Sequence, residues 1–468
     1  MVVKFLELCG YEPEEIRLQL PRIEKAFTIL GLTDFDVERG QERISGFFDT
    51  NLRGVRRILG VLVRELVDLT LAKEEGGRWI YSSPPSACAD ILTAASLGNK
   101  DIHVAFPDLL FVLTMGMMFD KLDPIIEAAE GLYLEPGMAH CSLIQTRLGL
   151  YARNIIPRAV LQVSVGLICD ENPKADASFE EFFGVPVQYL LRSQDKDWEE
   201  SGRIQRHIDF LAKNLKRMVE RVGEAAGGEI TDDLLNQARK MARDFSKPMR
   251  QILEMGVNCD PPPISSAFVH LMRAINGMPL NRHNHEIAVE GANILCQELQ
   301  ERVNKGEGVV PKGSPRVLHG YVQSYVDPGI VVALEKMGIS APIEEVQLYE
   351  PDGRFSPDVS GIEDPNYRLA AVLTQASIFN SLPVKSRVTI EACRRYKLDG
   401  CLWLVHYSCR PIMSDSYMMK DIVQKELGIP FMVLETDVYD PRYNRNRQLR
   451  PQLEAFAEMV KSYKASLR

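Results

Sequence analysis

Apolar positions in this chain keep one rhythm near the start and another further on. To about Gly77 the spacing is helical: Ile23, Ala26, Phe27 and Leu30 share a face behind Pro21, a residue suited to a helix's first turn. Thr33-Asp34 reads as the cap of the next helix. Between Val55 and Leu71, the residues Ile58, Leu59, Leu62, Leu66 and Leu69 mark a broad apolar face that needs a partner surface. Docking or a dimer contact is the role expected of this segment.

From Trp79 short apolar runs alternate with helical stretches, the pattern of an α/β unit. Trp79-Ile80-Tyr81, Ile102 to Phe106 and Leu161 to Ile168 are expected strands, and Gly184 to Val187 is the edge of another. Gly202 to Gly306 is almost wholly helical, broken at Pro261-Pro262-Pro263 because proline lacks the amide proton a helix interior needs. Strands are expected again at Val317 to Val322, Val346 to Tyr349, Cys401 to Val405 and Ile429 to Leu434. Among them fall helices at Gly329 to Lys336, around Ile390 to Tyr396 and after Ser414-Asp415. A closing amphipathic helix carries Leu453, Phe456, Met459 and Val460. The predicted class is α/β, with two parallel-sheet lobes of Rossmann or flavodoxin type at residues 79–201 and 311–468. An N-terminal helical segment, 1–78, precedes them, and a helical block with a linker, 202–310, lies between.

Composition narrows the function classes. The 468 residues leave room for two or three domains and a sizeable core. A formal net charge of -9 argues against a nucleic-acid partner, which would need basic groups along its phosphates. No apolar run reaches the roughly 18 residues that span a membrane. The start, Met1 to Glu7, lacks the shape of a signal peptide, so a cytoplasmic location without a membrane partner is expected.

Nine cysteines, none in C-x-x-C spacing, suit neither a disulfide framework, nor a zinc ribbon, nor a ferredoxin-type run. Cys9 reads as core, and Cys259 and Cys296 as structural. Three others share a placement. Cys141 opens a predicted helix, where the dipole favours thiolate, while Cys169 and Cys409 fall just past the carboxyl ends of predicted strands. Ligands gather at that edge of open α/β sheets. Three readings stay open: a [4Fe–4S] cube on three thiolates with one open iron, a zinc site completed by His140 and His406, or three unrelated buried thiols.

Several strings carry a resemblance. Phe106-Pro107-Asp108-Leu109-Leu110, His140-Cys141-Ser142-Leu143 with Leu148-Gly149, and Cys169-Asp170 with Lys174 come first. Asp399-Gly400, Ser408-Cys409-Arg410, Gly428-Ile429-Pro430 and Leu434-Glu435-Thr436-Asp437 follow in order. Together they resemble the 2-hydroxyacyl-CoA dehydratase and benzoyl-CoA reductase family from about Ile102 to the C-terminus. The resemblance implies a [4Fe–4S] cluster held by Cys141, Cys169 and Cys409 with one iron open to a ligand. It further implies a paralogous iron–sulfur subunit as partner, an acyl-CoA substrate, and a separate ATP-hydrolysing activator with its own cluster. In such enzymes one electron reduces the thioester to a ketyl radical, leading to loss of a hydroxyl or to ring reduction. The absence of a G-x-x-x-x-G-K-[ST] loop and of G-x-G-x-x-G after a strand fits ATP hydrolysis elsewhere.

By the same resemblance Asp108 is a candidate for proton transfer, although the family often has the longer Glu here; a helix N-cap is its plainer role. His406 and Ser408 are candidate donors to cluster sulfur or substrate. Glu435 and Asp437 are candidates for orienting the cleft. Arg442, Arg445, Arg447 and Arg450 are candidates for CoA phosphates, against the plainer role of a solvated helix face. Two alternatives are carried forward: a double-cubane reductase of small molecules, for which Cys88 is the further thiol to watch, and a non-catalytic electron-relay or structural partner of a paralogue.

Overall fold

A computed structural model describes residues 1–83, 88–132, 141–167, 169–191, 201–349, 359, 361–375, 381–444 and 449–467. Two four-stranded parallel sheets form its two lobes. In the first, β1 (Arg78–Ser83), β2 (Ile102–Ala105), β3 (Leu161–Gly166) and β4 (Val187–Leu191) lie in the order β2-β1-β3-β4. In the second, β5 (Arg316–Gly320), β6 (Ser340–Glu344), β7 (Gly400–His406) and β8 (Phe431–Thr436) repeat it as β6-β5-β7-β8. β3 and β7 are buried along their whole length, as strands covered by helices on both faces are. In each sheet the strand order reverses beside the first strand, and the carboxyl edge at that point is where ligands gather in open α/β sheets.

Some expectations give way. Val346 to Tyr349 is not a strand but lies in a short 3-10 turn, Glu345–Tyr349. The strand comes earlier, at Ser340–Glu344, whose Pro342 is tolerated because β6 is a sheet edge. Pro21 sits inside the Pro13–Ile29 helix, and it is Pro13 that occupies the first turn. Thr33 caps as expected, with Asp36 closing a capping box. Asp415 precedes the Ser416–Leu427 helix without a side-chain cap, its carboxylate pairing instead with Lys385. Met459 lies on the exposed face of the Leu449–Ser466 helix.

The apolar face of the N-terminal segment is covered by the chain itself. The Arg53–Glu75 helix is buried nearly all round and crosses the Arg282–Lys305 helix. A Cβ at Gly54 would stand 2.5 Å from Leu295 Cβ, so only glycine allows this approach. Glu298 on the second helix accepts the N–H groups of Arg53 (2.8 Å) and Gly54 (3.0 Å), satisfying two orphan donors of the first. The helices between the lobes divide their packing. Ser201–Ala226 and Asp232–Asn258 lie against the Ala89–Gly98 helix of the first lobe, while Ser266–Asn276 lies against β6 and the Gly329–Lys336 helix of the second.

Two buried acids in this framework set a pH dependence. Burial, with Asp68 nearby, pushes Glu65 up to about 8, although Asn284 and the Asn281 N–H bond it. Burial likewise raises Glu335, which accepts from Ser265 and the Ser266 N–H, to about 7. The folded state therefore holds protons that the unfolded chain has released. Stability is full below the ordinary carboxylate range and falls as pH rises towards 8, by a few kcal/mol in total. Glu65→Gln is expected to flatten this slope and to gain on the parent at pH 8, as measured by urea unfolding at several pH values. An unchanged slope would contradict the assignment.

Candidate functional site

The three cysteines each stand where a helix begins. Cys141 immediately precedes the Ser142–Ala152 helix and Cys409 the Arg410–Met413 turn, while Cys169 lies two residues before Glu171–Phe183. Each sulfur receives backbone N–H groups from the turn it opens: Ile144 for Cys141, Ile412 for Cys409, and both Glu171 and Asn172 for Cys169. Donors so aimed stabilise negative charge on sulfur. Cys169 follows β3 and Cys409 follows β7, so one thiol comes from each lobe's carboxyl edge.

The residues flanking Cys409 hold the other two in place. On one side, Ser408 Oγ accepts the Ser142 N–H (3.1 Å). On the other, Arg410 donates to Glu171 (2.7 Å) and Asp170 (3.1 Å). Cys409 is thus stitched to the neighbours of both Cys141 and Cys169. Burial raises all three thiols, and Cys409 feels the charges of both Cys169 and Cys141. Three thiols in mutual range, largely removed from water, ionise together only if positive charge joins them.

Asp437, just past β8, is the hub of the seam. Its Oδ1 accepts from Ser142 Oγ (2.6 Å) and the N–H groups of Tyr439 (2.9 Å) and Asp440 (3.0 Å), and its Oδ2 from Ser408 Oγ (2.9 Å). Burial alone would raise this carboxyl, but His406 and these donors prevail and hold it below the usual range. His406 closes β7, with Nδ1 3.1 Å from Asp437 and Nε2 3.5 Å from Ser408 Oγ. Glu435 is exposed and accepts from Tyr417 (3.2 Å).

Asp108 is not an N-cap. It lies within the Pro107–Phe111 helix, fully buried, where Ser83 Oγ donates to it (3.0 Å) and Arg147 Nη1 stands 3.4 Å away. Burial, opposed by Arg147, pushes it up to about 7. Arg147 also meets Asp176 (2.6 Å), and all three side chains have no exposure. This guanidinium joins the helix that Cys141 opens to the helix that follows Cys169. Its one trace in the sequence is a lone charge among Leu143, Ile144, Leu148 and Leu150.

Other candidates separate from the thiols. Arg442 is committed to Glu130 (2.6 Å) and Asp440 (2.7 Å), and Arg450, largely exposed, pairs with Glu454 (2.9 Å). Arg445, Arg447 and His140 lie outside the described residues. Among the described residues no three His, Cys, Asp or Glu side chains are set to hold a single metal ion. A cube binds each thiolate to a different iron and so uses a wider triangle than a single ion does. Cys88 is buried in a separate apolar cluster of the first lobe with Ile80, Ile91 and Leu92. Cys393 and Cys401 touch each other in the second lobe's core (3.6 Å). Cys88→Ala is expected to leave metal content unchanged at a cost of about 1 kcal/mol. A drop in iron per chain would give Cys88 a ligand's role.

The sequence pattern of the 2-hydroxyglutaryl-CoA dehydratase D-component family matches residues 101–460, which include all three cysteines. The chain is 26% identical over 281 residues to a subunit of benzoyl-CoA reductase from Thauera aromatica, covering 56% of this chain and 62% of that one. It is 20% identical over 256 residues to the (R)-phenyllactyl-CoA dehydratase beta subunit of Clostridium sporogenes, covering 54% and 64%. In both cases the match spans less than two thirds of the relative's length. With the family pattern running through both lobes, the chain belongs to the 2-hydroxyglutaryl-CoA dehydratase D-component family.

Proposed function

We propose that the chain is a [4Fe–4S] subunit of a low-potential acyl-CoA enzyme of the benzoyl-CoA reductase and 2-hydroxyacyl-CoA dehydratase type. The observation that carries the reading is the stitching of Cys409 to the neighbours of Cys141 and Cys169. Thiols contributed by both lobes, in mutual electrostatic range and supplied with backbone donors, fit a cube better than a single ion. Bound there, such a cube supplies one electron at low potential and one iron open to an oxygen ligand.

The protein's own groups do the rest. Cys141, Cys169 and Cys409 hold the cube. Asp437 fixes Ser142 and Ser408 beside two of these cysteines and so sets the separation of the lobes. Ser408 gives its one proton to Asp437, so of these two groups only His406, through Nε2, is left to donate toward sulfur or ligand. Asp108, fully buried and paired with Arg147, serves as a proton-holding group. The reaction proposed is one-electron reduction of a CoA thioester, with electrons from a separate ATP-hydrolysing activator and with a paralogous iron–sulfur subunit as partner. The relatives' names describe subunits, which supports a partner of that kind. No helix among the described residues is long and apolar enough to cross a membrane, and the proposed location is the cytoplasm.

The test is an anaerobic titration of the reduced protein with aromatic and 2-hydroxyacyl thioesters, followed by electron paramagnetic resonance. One class is expected to change the cluster spectrum, and that class identifies the substrate. A cluster indifferent to every thioester, with and without the partner subunit, would contradict an acyl-CoA role for this chain.

A further inference from the structure

A second set of side chains faces the thiols from the second lobe, and no motif in the sequence marks it. Tyr321 is the first residue after β5, beside the point where the sheet's strand order reverses. Its φ of 66° is left-handed, a conformation that costs a bulky residue about 1–3 kcal/mol. The backbone is clamped there on both sides. The Tyr321 N–H donates to the buried carboxylate of Glu345 (3.2 Å), and its carbonyl accepts the Val346 N–H (3.3 Å). Strain held in this way keeps a side chain where ordinary backbone would not aim it.

The clamp positions one ring of an aromatic group. Tyr321 lies nearly parallel to His406 (6.4 Å between centroids, 15°), and Tyr439 stands edge-on to the same imidazole (5.0 Å, 78°). Tyr439 is fixed in turn by its N–H bond to Asp437. The hydroxyls of Tyr321 and Tyr439 bond each other, and both phenol oxygens are in electrostatic range of Cys141 and Cys409. Burial raises both phenols, so they remain protonated donors. A phenol that accepts from its neighbour still has its own proton to give, and acceptance polarises that proton.

We propose that Tyr439 donates a hydrogen bond to the oxygen ligand of the open iron, and that Tyr321 is the positioning residue that orients Tyr439. This rests on the three-thiol cluster reading above. The ligand class is a neutral oxygen acceptor, either water or a thioester carbonyl. A neutral donor suits that site, because it stabilises charge that develops on the oxygen when an electron arrives without adding a fixed charge beforehand. Tyr325, stacked on Tyr439 at 5.9 Å with its hydroxyl bonded by Arg273, serves as a control.

The experiment compares Tyr439→Phe, Tyr321→Phe and Tyr325→Phe with the parent, each anaerobically loaded. Iron and sulfide are assayed, and exchangeable protons coupled to the reduced cluster are read by electron–nuclear double resonance in H2O and D2O. Tyr439→Phe is expected to keep its iron, to lose the strongest exchangeable coupling and to lower turnover by about 100-fold or more. Tyr321→Phe is expected to retain that coupling at an altered magnitude and orientation, with a smaller loss of turnover. Tyr325→Phe is expected to match the parent. Iron-loaded Tyr439→Phe and Tyr321→Phe proteins with the parent's couplings would overturn this inference alone, as would an equal effect from Tyr325→Phe. A parent protein that takes up no iron would overturn the cluster reading and this inference together.

Discussion

Replacing Cys409 by serine is expected to yield a folded protein that no longer retains its iron. Of the three thiols Cys409 is the most buried, and it alone comes from the second lobe. Its loss leaves Cys141 and Cys169 in the first lobe, and two thiolates are one short of the set proposed for the cube. The contacts that stitch the lobes are made by Ser408 and Arg410, so they survive the substitution. A hydroxyl in place of the thiol costs little in volume and about 1–3 kcal/mol if its proton finds no partner. Iron per chain is expected to fall from about four to well under one, with circular dichroism unchanged. Cys141→Ser and Cys169→Ser are expected to behave alike. Full retention of iron in Cys409→Ser would remove this residue from the ligand set.

Arg147→Met is expected to be among the most destabilising single changes in the first lobe. The substitution leaves Asp108 and Asp176, both without solvent exposure, with no cation beside them. Breaking a buried charge pair from one side costs about 3–5 kcal/mol, because the carboxylates left behind keep the cost of desolvation. Without arginine both acids hold protons more tightly in the folded state than in the unfolded chain. The deficit therefore shrinks as pH falls and grows as pH rises. Urea unfolding across that range measures both the loss and its sign. Adding Asp108→Asn and Asp176→Asn to Arg147→Met is expected to recover part of the loss, since neutral amides remove the stranded charge. A single variant within about 1 kcal/mol of the parent would mean that water or another cation reaches the acids.

The alternation of apolar runs with helices made both sheets legible, apart from β6 and from β4, which begins only at Val187 where the expected edge ended. Ser340–Glu344 has no apolar run and contains a proline, and only its edge position lets it be a strand. Val346 to Tyr349 is locally more strand-like, and tertiary context overrules it. The placement of Cys169 and Cys409 past strand ends was also readable, because a run of buried strand residues ends abruptly at each. What brings them to Cys141 was not. Ser142, Ser408 and Asp437 are far apart in sequence, and nothing local marks a hydroxyl that will bond across lobes. Arg147 left a faint trace as a charge among leucines, but its two acids come from other helices. Tyr321 left almost none, since a positive φ at tyrosine is imposed by Glu345 and Val346 and is not a preference of the residue.

Mössbauer spectroscopy of the protein reconstituted anaerobically with enriched iron and sulfide decides most directly what the three thiols hold. About four irons and about four sulfides per chain are expected, with one iron distinct from the other three and altered by an added oxygen ligand. Zinc without iron, about eight irons, or four equivalent irons indifferent to ligand would each contradict three thiols sharing one open-cornered cube.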